Sequence, residues 1–336
     1  MNQFLNFLAQ LFGMKKTPQP TPAPASVPDS ATEPARLTVC RVLLLVYDPI
    51  MDAASGRKLS QQQNWYRVED LATGFMADIL KNSNGMGRYQ IVQRIDLDEF
   101  PAKTDGFLYT PQTYMTVLNK ETQPHMPQEA DYNAILTRFK ILERVMRNEI
   151  DEVWIFAFPH AGFYESSMGG AGAFWCNAPA LPNTEASRRR FVVMGFSFER
   201  YVGEMLESFG HRSESIMQKA FEKTSGEANL WNRFSRYEKI APGKAAIGSI
   251  HYAPNSTRDY EWDNPTLVKS ECYDWLNNFP NFKGDLRDVN NVEWGGGEIR
   301  AHHQWWLNHL PRVAGRKNGV HNNWWQYILN PNNVFV

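Results

Sequence analysis

Apolar residues along the chain fall into two kinds of block, one nearly continuous and one spaced at helical intervals. Residues 37–49, LTVCRVLLLVYDP, form an almost unbroken apolar run rich in valine and closed by Asp48-Pro49, as expected of a strand buried on both faces. Residues 68–82 repeat their apolar positions with a helical period and lead to Gly85; residues 88–100 then alternate like a half-buried strand. Ile135, Phe139, Leu142 and Val145 predict a helix within residues 130–148, with Arg and Lys near its end. DEVWIFAFP (151–159) and RRFVVMGFSF (189–198) are further buried strands, the second leading into another helix. Strands alternating with helices predict an α/β layered fold with a mostly parallel sheet. Beyond about residue 225 the periodicity fades and Trp, Asn, Gly and Pro accumulate, so an irregular, Trp-rich C-terminal half is expected to wrap onto the same single domain, residues 37–336, as one wall of a cleft.

In the helix after the last strand, Glu204, Glu207, His211 and Glu214 recur at steps of three, four and three, and so share one face. Val202, Met205, Leu206, Phe209 and Ile216 occupy the opposite face, which predicts that the carboxylates and the imidazole project away from the core. Such a face suits a divalent metal ion or acid–base chemistry. On a solvated helix the same residues would make only modest local pairs, and Arg212 could neutralise one of the carboxylates.

Two further segments precede the fold. Phe4, Leu5, Phe7, Leu8, Leu11 and Phe12 form an apolar stripe followed by Lys15 and Lys16, so residues 1–16 are expected to be an amphipathic segment making peripheral membrane contact through residues 4–16. Residues 17–36, rich in Pro and Ala, are expected to be a disordered linker. Charge adds an exclusion: 35 Lys plus Arg nearly cancel 36 Asp plus Glu, which removes the electrostatic argument for a nucleic-acid partner. Cys40, Cys176 and Cys272 are too scattered for a disulfide framework, and no apolar run is long enough to span a bilayer as a helix. A cytoplasmic or membrane-peripheral location is favoured over secretion.

Three loop-like stretches supply candidate chemistry. His160, Glu165 and Asn177 lie in a glycine-rich segment (159–177) directly after a buried strand, where open parallel sheets place ligand-binding loops. The segment carries no phosphate-binding signature, so a nucleotide cofactor is not indicated. His251, Asn255, Asp259 and Asp263 stand among aromatics in residues 249–264, and Asn255-Ser256-Thr257 matches a glycosylation sequon. Glu293, Glu298, His302 and His303 sit near Trp305 and Trp306, with His302 and His309 seven apart. These histidines are read as ligands or, more simply, as groups bonded to backbone carbonyls.

The strand, glycine-rich loop and ESFGH helix resemble, over at most residues 151–217, the zincin metallopeptidases, whose helix bears H-E-x-x-H. Only His211 agrees with the motif: Glu207 stands where its first histidine would be and Ser208 where its catalytic glutamate would be. The resemblance implies a metal-assisted, peptidase-derived hydrolase. Glu207, His211 and Glu214 would hold a divalent metal, zinc among the candidates, with His251 as a further ligand and Glu165 as the base that activates water. Its substrate would be a small molecule, peptide or saccharide. The alternatives are a carbohydrate-active hydrolase that uses Glu165 and Glu214 as paired carboxylates, with indoles stacking on sugar rings, and a saccharide-binding protein without catalysis.

Overall fold

A computed structural model describes residues 29–335, and its centre is a five-stranded sheet. The strands are β1 (Thr38–Tyr47), β2 (Gly87–Leu97), β3 (Glu152–Ala157), β4 (Ser166–Gly169) and β5 (Phe191–Ser197), in the spatial order β2-β1-β3-β5-β4. β1 runs parallel to β2 and β3, and β3 parallel to β5, while β4 closes one edge antiparallel to β5. Every residue of β3 is buried, which explains its apolar run from Val153 to Ala157, and β2 alternates because it is the other edge. The fold is thus α/β with a mostly parallel sheet and an aromatic-rich C-terminal portion.

Four helices matter for the site: α1 (Val68–Asn82), α2 (Val202–Ala220), α3 (Ile299–His309) and α4 (Trp325–Leu329). α2 packs against the other three, so this helix of the α/β core is enclosed by chain from the C-terminal half. One cluster of buried apolar side chains extends from Val42 to Val334. Among the described residues, no helix is long and apolar enough to cross a membrane.

Three expectations change. The helix within residues 130–148 is two short ones, Tyr132–Arg138 and Ile141–Met146, because Lys140 between them adopts a left-handed φ of 52°. The glycine-rich loop contains the edge strand β4. The C-terminal part of the expected linker is docked: Ser30 N–H donates to the Arg316 carbonyl at 3.2 Å, and Glu33 pairs with Arg316 at 3.1 Å. The amphipathic segment 1–16 and linker residues 17–28 lie outside the described residues.

Asp151, just before β3, ties the sheet together by accepting from Arg41 Nε and Arg189 Nη2, both at 2.8 Å. Burial pushes its carboxyl up, but the hydrogen bonds from Arg41 and Arg189 outweigh burial and hold it below the ordinary carboxylate range. A carboxylate depressed in the folded state stabilises fully above its unfolded pKa of about 3.9, and that stability is lost as pH falls through the folded value. The expected outcome is a loss of folding stability below about pH 4 that Asp151→Asn flattens, read by urea denaturation across pH.

Candidate metal centre

The local sequence of α2 explains how its polar face becomes covered. Glu204 accepts from Tyr201 N–H at 3.1 Å and so caps the helix start. Gly210 permits close approach: a Cβ there would lie 2.4 Å from Ile250 side-chain atoms. Ile250 N–H in turn donates to Glu214 Oε1 at 2.9 Å, so the segment carrying His251 is pinned onto the helix at two points. Gly210→Ala is therefore expected to cost about 1–3 kcal/mol by overpacking, measured by chemical denaturation.

The contact brings three candidate residues together. Ligand atoms of Glu207, His211 and His251 lie within 4.8 Å of one another, the one such group among the described residues. His251 Nε2 is 3.0 Å and His211 Nε2 3.9 Å from Glu207 Oε1. Tetrahedral ligands about 2.1 Å from a zinc ion stand roughly 3.4 Å apart, so these separations bracket the required spacing. The far nitrogens of both rings meet carboxylates: His211 Nδ1 is 3.1 Å from Glu214 Oε2, and His251 Nδ1 is 3.0 Å from Asp259 Oδ1. Glu214, expected as a ligand, thus stands behind His211 and beside the Ile250 amide, outside the trio.

Tyr260 adds a contact that the sequence reading did not include. Its hydroxyl donates to Glu207 Oε1 at 3.0 Å, and its φ of 58° is a left-handed conformation unusual for an aromatic residue. The helical pattern carried no signal for Tyr260, because its position depends on the path of a loop.

Charge is strongly organised here. Burial raises the Glu207 carboxyl, yet the nearby His211 imidazole and hydrogen bonds from His251 and Tyr260 outweigh burial and keep it well below the ordinary carboxylate range. Burial works against a charged His211, but Glu207 and Glu214 overcome it and raise the imidazole to about 10, with a smaller contribution from Glu165. Without an ion, His211 therefore holds a proton between two carboxylates. Burial raises the Tyr260 hydroxyl to about 12, helped by Glu207.

The remaining candidates separate. Glu165 lines a cavity of about 260 Å³ at the C-terminal ends of β3 and β5, together with His160, Glu199, Glu204, Met205 and Ser208. Its carboxylate accepts from Asn177 Nδ2 at 2.7 Å. Arg212 does not neutralise the site carboxylates, because it points into the core and pairs with Glu152 at 2.6 Å. Asn255 is buried and its amide donates to the Asn264 and Thr266 carbonyls, so the sequon is closed off in the fold. Of the seven tryptophans beyond residue 260, all but half-buried Trp305 are buried, which makes them core and not an open stacking surface. His309 meets the Trp305 carbonyl at 2.7 Å, the simpler of the two histidine readings. His302 and His303 are wholly buried, with their Nδ1 atoms 3.1 Å apart. Burial drives the His303 imidazole down to about 3, and that of His302 well below the ordinary range, so both rings are neutral.

No protein-family model, curated protein or solved structure matches this chain.

Proposed function

We propose that the protein is a metal-assisted hydrolase in which Glu207, His211 and His251 hold a divalent ion, with zinc favoured by the donor set of one carboxylate and two imidazoles. The observation that carries this reading is the orientation of the two histidines. Both present Nε2 toward Glu207 Oε1 while their Nδ1 atoms face Glu214 and Asp259. A carboxylate behind each imidazole is the arrangement that fixes the tautomer and raises the basicity of a metal-bound histidine. Two candidate ligands four residues apart on one helix, with a third from a later loop, support the zincin-like reading of the helix despite its departures from the motif.

The ion would lower the pKa of a bound water and polarise a carbonyl or phosphoryl oxygen. Glu165, in the cavity beside α2 and held by Asn177, would be the base that takes the proton from that water. Tyr260, whose hydroxyl stays protonated at neutral pH and donates to Glu207 Oε1, would orient that carboxylate toward the ion. The substrate is a small molecule or a short portion of a peptide or saccharide that enters the cavity at the strand ends.

Elemental analysis of the purified protein, followed by assays on ester, amide and phosphate substrates with and without chelator, tests the reading. One zinc per chain and chelator-sensitive turnover are expected. Glu165→Gln should keep the metal and lower kcat by about 100- to 10,000-fold. Chelator-resistant turnover lost on Glu165→Gln or Glu214→Gln would instead favour the glycosidase reading.

A further inference from the structure

Helices α2 and α3 lie side by side in the same direction, and contacts at both ends set their register. A Cβ on Gly203 would come within 2.8 Å of Ile299 Cγ2. Seven residues on, Ile250 fills the notch at Gly210, and Trp306 Nε1, seven residues beyond Ile299, donates at 3.2 Å to the carbonyl of Gly248 in that same segment. One helical turn on from Gly203 is Glu207, and one turn on from Ile299, on the same face of α3, is His303.

His303 is fully buried, yet its Nε2 has no hydrogen-bond partner among the described residues. Buried polar atoms are nearly always satisfied, so an orphan beside a cluster of ligand groups calls for a partner. The opposite nitrogen, Nδ1, is held by His302 Nδ1 at 3.1 Å, and Trp262 stands 5.0 Å from the His303 ring, so the imidazole is fixed. His303 is not part of the trio whose ligand atoms lie within 4.8 Å of one another, so a direct fourth bond is not its role. A water about 2.1 Å from an ion, making a hydrogen bond of about 2.8 Å, would place its partner nitrogen roughly 4 Å from the metal.

We propose that His303 is a positioning residue of the metal centre, its Nε2 hydrogen-bonding the water carried by the ion that Glu207, His211 and His251 hold. This rests on the metal reading above. The inner side of the centre is then walled by α3, and the bound water is oriented from behind while Glu165 addresses the site from the cavity.

The test is cobalt substitution of the full chain, comparing the visible spectrum of the wild type with those of His303→Leu and His303→Gln. Zinc affinity is measured in parallel by chelator competition. His303→Leu should still bind one ion per chain but about 10-fold more weakly, with displaced cobalt bands. His303→Gln, which keeps a polar end at similar reach, should give an intermediate spectrum and serves also if leucine unfolds the chain. Spectra superimposable on the wild type in every folded variant overturn this proposal and leave the trio intact. Absence of any cobalt or zinc uptake by the wild type overturns the metal reading itself and this proposal with it.

Discussion

On the proposed metal centre, replacing His211 with alanine is expected to abolish stoichiometric zinc binding, with a loss of affinity beyond ~100-fold, because the change would remove a ligand and not merely a partner of one. His251→Ala should behave in the same way, although it lies 40 residues further along the chain. The informative contrast is with Glu214 and Asp259. These carboxylates sit behind the imidazoles, 3.1 Å and 3.0 Å from their Nδ1 atoms, so Glu214→Gln and Asp259→Asn should weaken binding by only about 10- to 100-fold. Isothermal titration with zinc, checked by elemental analysis, separates the two groups. Equal metal content in the wild type and His211→Ala would remove the proposed centre. Equal losses at Glu214 and His211 would promote Glu214 to a ligand.

Arg212→Leu is expected to destabilise the fold by about 3–5 kcal/mol. Arg212 is fully buried, and Glu152, at 1% side-chain exposure, would be left as an uncompensated carboxylate. The guanidinium also donates to the Ile328 carbonyl at 2.8 Å and to Tyr89 Oη at 3.2 Å, so one side chain joins α2 to β3, β2 and the C-terminal helix α4. Glu152 accepts in addition from Trp154 Nε1 at 2.8 Å. A buried pair replaced as a whole costs much less than one broken by half. The double variant Arg212→Leu/Glu152→Gln should therefore recover a substantial share of the loss. Urea denaturation of the two single variants and the double variant measures this coupling. If Arg212→Leu costs less than about 1 kcal/mol, the ion pair is not what fastens α2 to the sheet.

How much of this was legible along the chain depends on the range of the interaction concerned. The buried strands β1, β3 and β5, and the helices α1 and α2, could be read because continuous apolar runs and helical periodicity are local consequences of burial on two faces or one. The break at Lys140 was not legible, because the apolar period continues across a residue whose backbone turns left-handed. Nor was the short edge strand β4, whose Ser, Met and Gly carry little strand propensity and which exists because β5 offers an open edge. The helical spacing of α2 placed Glu207, His211 and Glu214 on one face, but adjacency to His211 made Arg212 look available to those carboxylates, when it is committed to Glu152 in the core.

The sequence by itself determined the α/β layering and the pairing of Glu207 with His211, because periodicities of 2.0 and 3.6 residues are properties of neighbouring positions. Only the tertiary structure decided that His251 completes the trio, that Glu214 and Asp259 stand behind its imidazoles, that Tyr260 reaches Glu207, and that His303 lies one turn along the adjoining helix. Those choices depend on how loops close over a rigid helix, and loop closure is set by long-range packing, such as Ile250 in the notch of Gly210, that leaves no periodic trace in the chain.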